Sequence, residues 1–178
     1  MSNIRLFFPE ILSLNLSSKL DESQSHYLST VMRVKVGESF SLFNKGGEWE
    51  AKINAISKGI VEFNITKKLR EKENPKEIWL AFSPIKSNYF NFMIQKATEL
   101  GVTKFIPIIT DRTIIRKINS NRLEKIIIES SEQSNRLKIP ILEKVIPLEN
   151  FIKNNQKLNI IFGDLNTDNK NINIKKLS

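Results

Sequence analysis

The hydrophobic period of this chain changes once, and that change constrains the fold more than any other feature. Up to Ile65 apolar side chains recur at period two: Phe40 and Leu42, then Trp49, Ala51 and Ile53, then Val61, Phe63 and Ile65. Such alternation belongs to strands with one buried face. Beyond Lys76 the pattern becomes short continuous apolar runs separated by helical spacing, as in a parallel α/β sheet. Residues 67–76 between the two regimes are mostly charged and include Pro75, which predicts a linker. The expected fold is therefore α+β with two domains, residues 1–72 and residues 73–178.

The first domain reads as a small barrel or sandwich of short strands. Leu6, Phe7 and Phe8 form a short strand stopped by Pro9. Asp21 and Gln24 have capping-box spacing and open a helix with Tyr27, Leu28, Val31 and Met32 on one side. Asn44, Lys45, Gly46 and Gly47 mark a hairpin turn, and Ser57, Lys58 and Gly59 mark the next. In the second domain, residues 78–82, 105–109 and 158–162 read as buried strands. Pro107 argues that its strand lies at an edge or ends there. Phe90, Met93, Ile94, Ala97 and Leu100 form a helical stripe closed by Gly101. Asn121 and Glu124 open a second helix, whose stripe is Leu123, Ile127, Ser130 and Leu137.

Charge and composition narrow the chemistry. The chain has 178 residues, a net charge of +9, one His and no Cys. Disulfides and thiolate sites are excluded, and a metal site is not expected. No apolar run approaches membrane-spanning length, so the chain reads as cytoplasmic. The cationic surplus favours a polyanion such as nucleic acid. Lysine abundance accompanies high Ile and Asn counts, so the seven arginines carry more of the argument. Their planar forks match phosphates and base edges.

Several strings then point one way. His26-Tyr27-Leu28, Val31-Met32-Arg33-Val34 and Gly37 resemble the "HHL…VLR…G" stretch of ribosomal-RNA uridine methyltransferases of the RsmE type. Gln95-Lys96-Ala97-Thr98-Glu99-Leu100-Gly101-Val102 resembles their "QKATELGV" helix. Pro107 with Thr110-Asp111-Arg112 resembles "P…TER", and Glu132-Gln133-Ser134-Asn135-Arg136 with Pro140 resembles "EQS.R…P". Order and spacing agree across most of the chain.

The resemblance implies a PUA-like RNA-binding barrel followed by a SPOUT methyltransferase domain, which is knotted in the full family. It implies a homodimer that uses S-adenosylmethionine to methylate ring nitrogen 3 of a uridine in 16S rRNA of the small ribosomal subunit. The family's cofactor strings, roughly "GPEGG" and "LG..ILR.ETA", do not occur here and would lie beyond Ser178. The second domain is thus expected to be partial and the chain an inactive fragment. The alternative is a non-catalytic rRNA-binding module.

Arg5, Arg33, Lys86, Arg112 and Arg136 are the expected RNA contacts. Relatives carry a Lys-Gly-Asp-Arg-like run where this chain has Lys86-Ser87-Asn88-Tyr89, so the lysine is kept and the arginine lost. Phe162, Gly163 and Asp164 close a predicted strand; the resemblance implies that this loop flanks the cofactor, where a glycine allows close approach and an acid could hold a donor hydroxyl, the alternative being an ordinary turn. No catalytic base is identifiable. Lys96 and Glu99 are spaced to pair on a helix surface; equally, Glu99 could cap a neighbouring loop or Lys96 face RNA, and His26 reads as a hydrogen-bonded structural residue.

Overall fold

A computed structural model describes residues 4–163. The first sheet grows from two tight turns. Asn44 Oδ1 accepts from the Gly46 N–H at 2.8 Å, which folds β3 (Ser39–Asn44) back onto β4 (Gly47–Ser57). Lys58 and Gly59 both have positive φ, 51° and 81°, as a type I′ turn requires, and β5 (Ile60–Glu71) returns along β4. β1 (Arg5–Phe7) joins β3 in parallel and β2 (Ser17–Lys19) joins β5 antiparallel, giving the order β1-β3-β4-β5-β2. Register shifts at Glu48/Trp49, Glu50/Ala51 and Ile53/Ala55 mark bulges or irregularities, and bulges bend a sheet. The sheet encloses one apolar cluster containing Leu6, Leu28, Phe40, Leu42, Phe63 and Ile65.

Two details depart from expectation. Residues 67–71 are not linker: they are the last part of β5, where Lys67, Lys68, Arg70 and Glu71 pair with Glu50, Trp49, Glu48 and Gly47. Their charge reflects a mostly exposed strand rather than a break. The capped helix is also shorter than its stripe suggested. Asp21 caps α1 (Glu22–His26), accepting from Gln24 N at 2.8 Å. The chain then winds as a π-helical turn, Tyr27–Val31, closed by Met32 N donating to Tyr27 O at 2.9 Å. The wider turn buries Leu28 and leaves Tyr27, Val31 and His26 exposed.

The second sheet is parallel throughout. β6 (Trp79–Phe82) leads to α2 (Ser87–Glu99), β7 (Lys104–Ile109) and α3 (Ser120–Gln133). α2 stops as the sequence implies. Gly101 takes φ 105°, and Val102 N reaches back to Ala97 O at 3.0 Å. The cap of α3 is Asn119 rather than Asn121; its side chain accepts from Arg122 N at 3.1 Å.

The third strand position is filled by β8 (Ile141–Leu142) and β9 (Ile146–Pro147), ahead of α4 (Leu148–Asn154). Residues 158–162, expected as a strand, form none; Ile160, Ile161 and Phe162 are exposed. Two-residue strands carry no readable period, so an apolar run was the stronger signal. β7 is central, which contradicts the edge position inferred from Pro107. β8 pairs with Lys104 and Phe105, and β9 with Ile108 and Ile109. Thr103 O and Phe105 O accept from Ile141 N and Glu143 N. By alternation, the missing N–H of Pro107 faces the gap between β8 and β9, where no ladder bond is needed.

Candidate RNA and cofactor interface

β6 and β7 run parallel with Phe82 opposite Pro107, so the loops that follow them emerge at one edge. Open α/β sheets bind ligands at that carboxyl edge. A hydroxyl cluster ties the two loops together. Thr113 Oγ1 accepts from Thr110 N at 2.8 Å, lies 2.9 Å from Thr110 Oγ1, and donates to Ser83 Oγ at 3.4 Å. Thr113 is buried, whereas Lys86, Arg112, Arg116 and Lys117 in the same loops are not. The loops at this edge thus share a hydrogen-bonded hydroxyl cluster and carry four exposed cations and exposed Asp111. Lys86 and Arg112 both lie in the loops at this edge and are exposed. Ser83, Thr110 and Thr113 were missed, since isolated Ser and Thr give no distinctive pattern.

Arg33 stands elsewhere, on the barrel between the π-helical turn and β3. It reaches solvent and has φ 54°, a region most side chains avoid. π-helical turns recur at functional sites, and here one delivers Arg33 to the surface.

Arg5 is turned inward. It is 7% exposed, and its guanidinium lies 3.6 Å from the Phe43 ring centroid. Nη1 donates to Ser131 O at 2.9 Å and Glu132 O at 3.3 Å, and Nη2 donates to Arg136 O. Nε faces Glu48 Oε2 at 3.1 Å. Burial lowers the Arg5 pKa, with Glu48 pulling the other way. Arg136 also points inward, donating through Nη1 to Thr98 O and, at 2.8 Å, to Val102 O. Both side chains donate to backbone carbonyls within the protein. Lys96 and Glu99 form the expected surface pair at 2.7 Å.

Phe162 is 81% exposed, and a Cβ on Gly163 would meet nothing within 4 Å, so neither residue lines a cleft among the described residues. Asp164 lies outside the described residues. Two concavities among the described residues are lined by other residues than those of the sheet edge. One, of about 330 Å³, runs between α2 and α3 beside Phe92, Gln95, Ile126 and Gln133; the other, of about 410 Å³, lies beside Lys45, Pro75 and Leu137. Among the described residues, no group of three His, Cys, Asp or Glu could hold a metal ion. Nor is any described helix long and apolar enough to cross a membrane.

A bulged mixed sheet with a solvent-facing arginine, followed by a parallel α/β sheet with exposed cations in the loops at its carboxyl edge, has the features of a protein that binds a polyanion. The comparisons agree. The family described as "RNA methyltransferase domain" matches residues 72–178, and "RNA methyltransferase PUA domain" matches residues 20–66. The chain belongs to this RNA methyltransferase family.

The ribosomal RNA small subunit methyltransferase E of Rickettsia conorii is 36% identical over 156 residues, 86% of this chain and 64% of that protein. Its namesake in Synechocystis is 33% identical over 138 residues, 75% of this chain and 45% of that protein. Less than two thirds of either relative is therefore spanned. Among solved structures, the methyltransferase E of Neisseria gonorrhoeae bound to S-adenosyl methionine aligns with TM-score 0.75 and 28% identity, covering 83% of this chain and 63% of that one. A Legionella pneumophila putative methyltransferase in complex with the cofactor SAM aligns with TM-score 0.78 and 28% identity, covering 86% and 66%.

Proposed function

We propose that this chain serves S-adenosylmethionine-dependent methylation of 16S rRNA in the small ribosomal subunit, at ring nitrogen 3 of a uridine. Residues 1–72 grip the RNA and residues 73–178 form the methyltransferase side. The observation that carries this reading is that one chain joins a PUA-type domain to an RNA methyltransferase domain. A solvent-facing arginine on the first and a cationic carboxyl edge on the second support it.

Methyl transfer from a sulfonium is an in-line displacement, so the protein's work is to align donor carbon and acceptor nitrogen and favour loss of the ring proton. In this reading Arg33 clamps phosphate on the barrel, and Lys86 and Arg112 hold the backbone beside an unstacked uridine. Phe162, Gly163 and Asp164 would flank the donor when it is bound. The donor supplies an electrophilic methyl group; Gly163 would allow close approach and Asp164 could accept from a hydroxyl. The functional unit is a cytoplasmic homodimer.

The test is to disrupt the gene encoding this chain and digest 16S rRNA to nucleosides. Loss of N3-methyluridine, regained on re-expression, supports the reading. An unchanged N3-methyluridine content overturns it. In that case rRNA binding without modification would favour a non-catalytic module.

A further inference from the structure

The two apolar clusters of the chain share no residue: one lies inside the first sheet and one between α2, α3 and the second sheet. Contacts between domains are by default loose when no apolar core spans them. Here the join is made by directional polar bonds at one place, the C-terminal end of α3. The last carbonyls of a helix lack intrahelical partners and attract cations. α3 has no basic residue in its last turn. The cations come instead from the other domain.

Arg5 on β1 donates to the carbonyls of Ser131, Glu132 and Arg136. Arg70 on β5 donates to Asn135 O at 3.0 Å and Asn135 Oδ1 at 2.9 Å. Buried Glu48 holds both guanidinium groups at 3.1 Å. In the reverse direction, Glu132 Oε1 accepts from Phe7 N at 2.8 Å, satisfying the open edge of β1. The bonds are satisfied together in one relative orientation of the domains.

We propose that Arg5 is a positioning residue: by seating the barrel on the end of α3, it presents barrel-bound RNA to the methyltransferase domain at one angle. This role rests on the RNA-methyltransferase reading above. Two contact patches held rigidly act at high effective concentration toward one ligand, and loosening them lowers it.

The absence of cysteine makes the test direct. Lys52→Cys on β4 and Lys125→Cys on α3, both exposed, take spin labels for pulsed electron-resonance distance measurement. The parent should give one narrow distance, and Arg5→Met a clearly broadened one. Glu132→Ala acts from the opposite side and leaves the barrel's own side chains intact; it should broaden the distance as well, with circular dichroism unchanged. Affinity for 30S subunits should fall about tenfold in Arg5→Met, while affinity for a short single-stranded RNA stays within about twofold. A domain that had merely unfolded would lose both. Narrow distances in both variants overturn the proposal, as does broadening with undiminished 30S affinity. Failure of the parent to bind 30S subunits would refute the proposed function, and with it the RNA-presenting role, while the distances still decide whether Arg5 fixes the domains.

Discussion

Replacing Gly47 by alanine should be costly, and the neighbouring glycines allow the cost to be separated into parts. Gly47 opens β4 at φ 132°, and an added Cβ would overlap the Arg70 carbonyl oxygen and sit 3.2 Å from Lys68 Cε. Backbone strain of this kind is about 1–3 kcal/mol. Steric overlap that the backbone must absorb adds about 1–3 kcal/mol. The sum is about 2–6 kcal/mol, and for a chain of this size its midpoint of about 4 kcal/mol lowers the melting temperature by roughly 8–16 °C.

Gly59 is a control for strain alone. Its φ is 81° and nothing lies within 4 Å of an added Cβ, so Gly59→Ala should cost about 1 kcal/mol. Gly46 has no positive φ, and its neighbour is the flexible side-chain atom Asn44 Oδ1 at 3.1 Å. Gly46→Ala should cost less than about 1 kcal/mol. Urea and thermal unfolding of the three variants measure the series. The reasoning fails if Gly47→Ala is no less stable than Gly59→Ala, because the overlap with Arg70 would then be worth nothing.

Other expectations follow from the same contacts. Burial pushes the Glu132 carboxyl above its ordinary value of 4.5, against the pull of the Phe7 N–H. The folded state therefore holds this proton more tightly than the unfolded state. The associated stability is full below pH 4.5 and is lost as pH rises through the folded value. Glu132→Gln should remove that part of the decline in a pH series of urea midpoints, and an unchanged profile would refute it. At Arg33, Arg33→Gly should relieve left-handed strain and raise stability by about 1 kcal/mol while weakening rRNA binding; a variant that gains stability with undiminished affinity would remove Arg33 from the interface. Lys86→Ala and Arg112→Ala should each reduce the salt dependence of 16S rRNA binding by roughly 0.7–0.9 in log–log slope, without altering circular dichroism. Slopes equal to the parent's would show that these cations touch no phosphate.

Much of this was legible in the sequence because it depends on neighbours along the chain. The turn at Asn44 to Gly47, the cap at Asp21, the stop at Gly101 and the pairing of Lys96 with Glu99 are local, and each formed as its residue types dictate. The period-two and helical stripes likewise marked most of the core. Arg112 could be placed at the carboxyl end of its strand because it closely follows the apolar run of β7.

Misreadings arose where a residue's role is set by something distant in sequence. Residues 158–162 resemble a buried strand, but an apolar run forms one only beside a partner, and the place next to β7 is taken by β8 and β9. Pro107 resembles an edge residue until the break between those two strands is seen. The inward turn of Arg5 and Arg136 was not legible either, since a guanidinium donates to carbonyl oxygens as readily as to phosphates. By itself, then, the sequence determined the turns, caps and stripes of two domains and the family to which the chain belongs, since these are short-range or motif properties. Which arginines face solvent and which are spent capping helix ends was decided only by tertiary structure. The carbonyls that captured Arg5 lie more than a hundred residues away and become available only when α3 ends against β1.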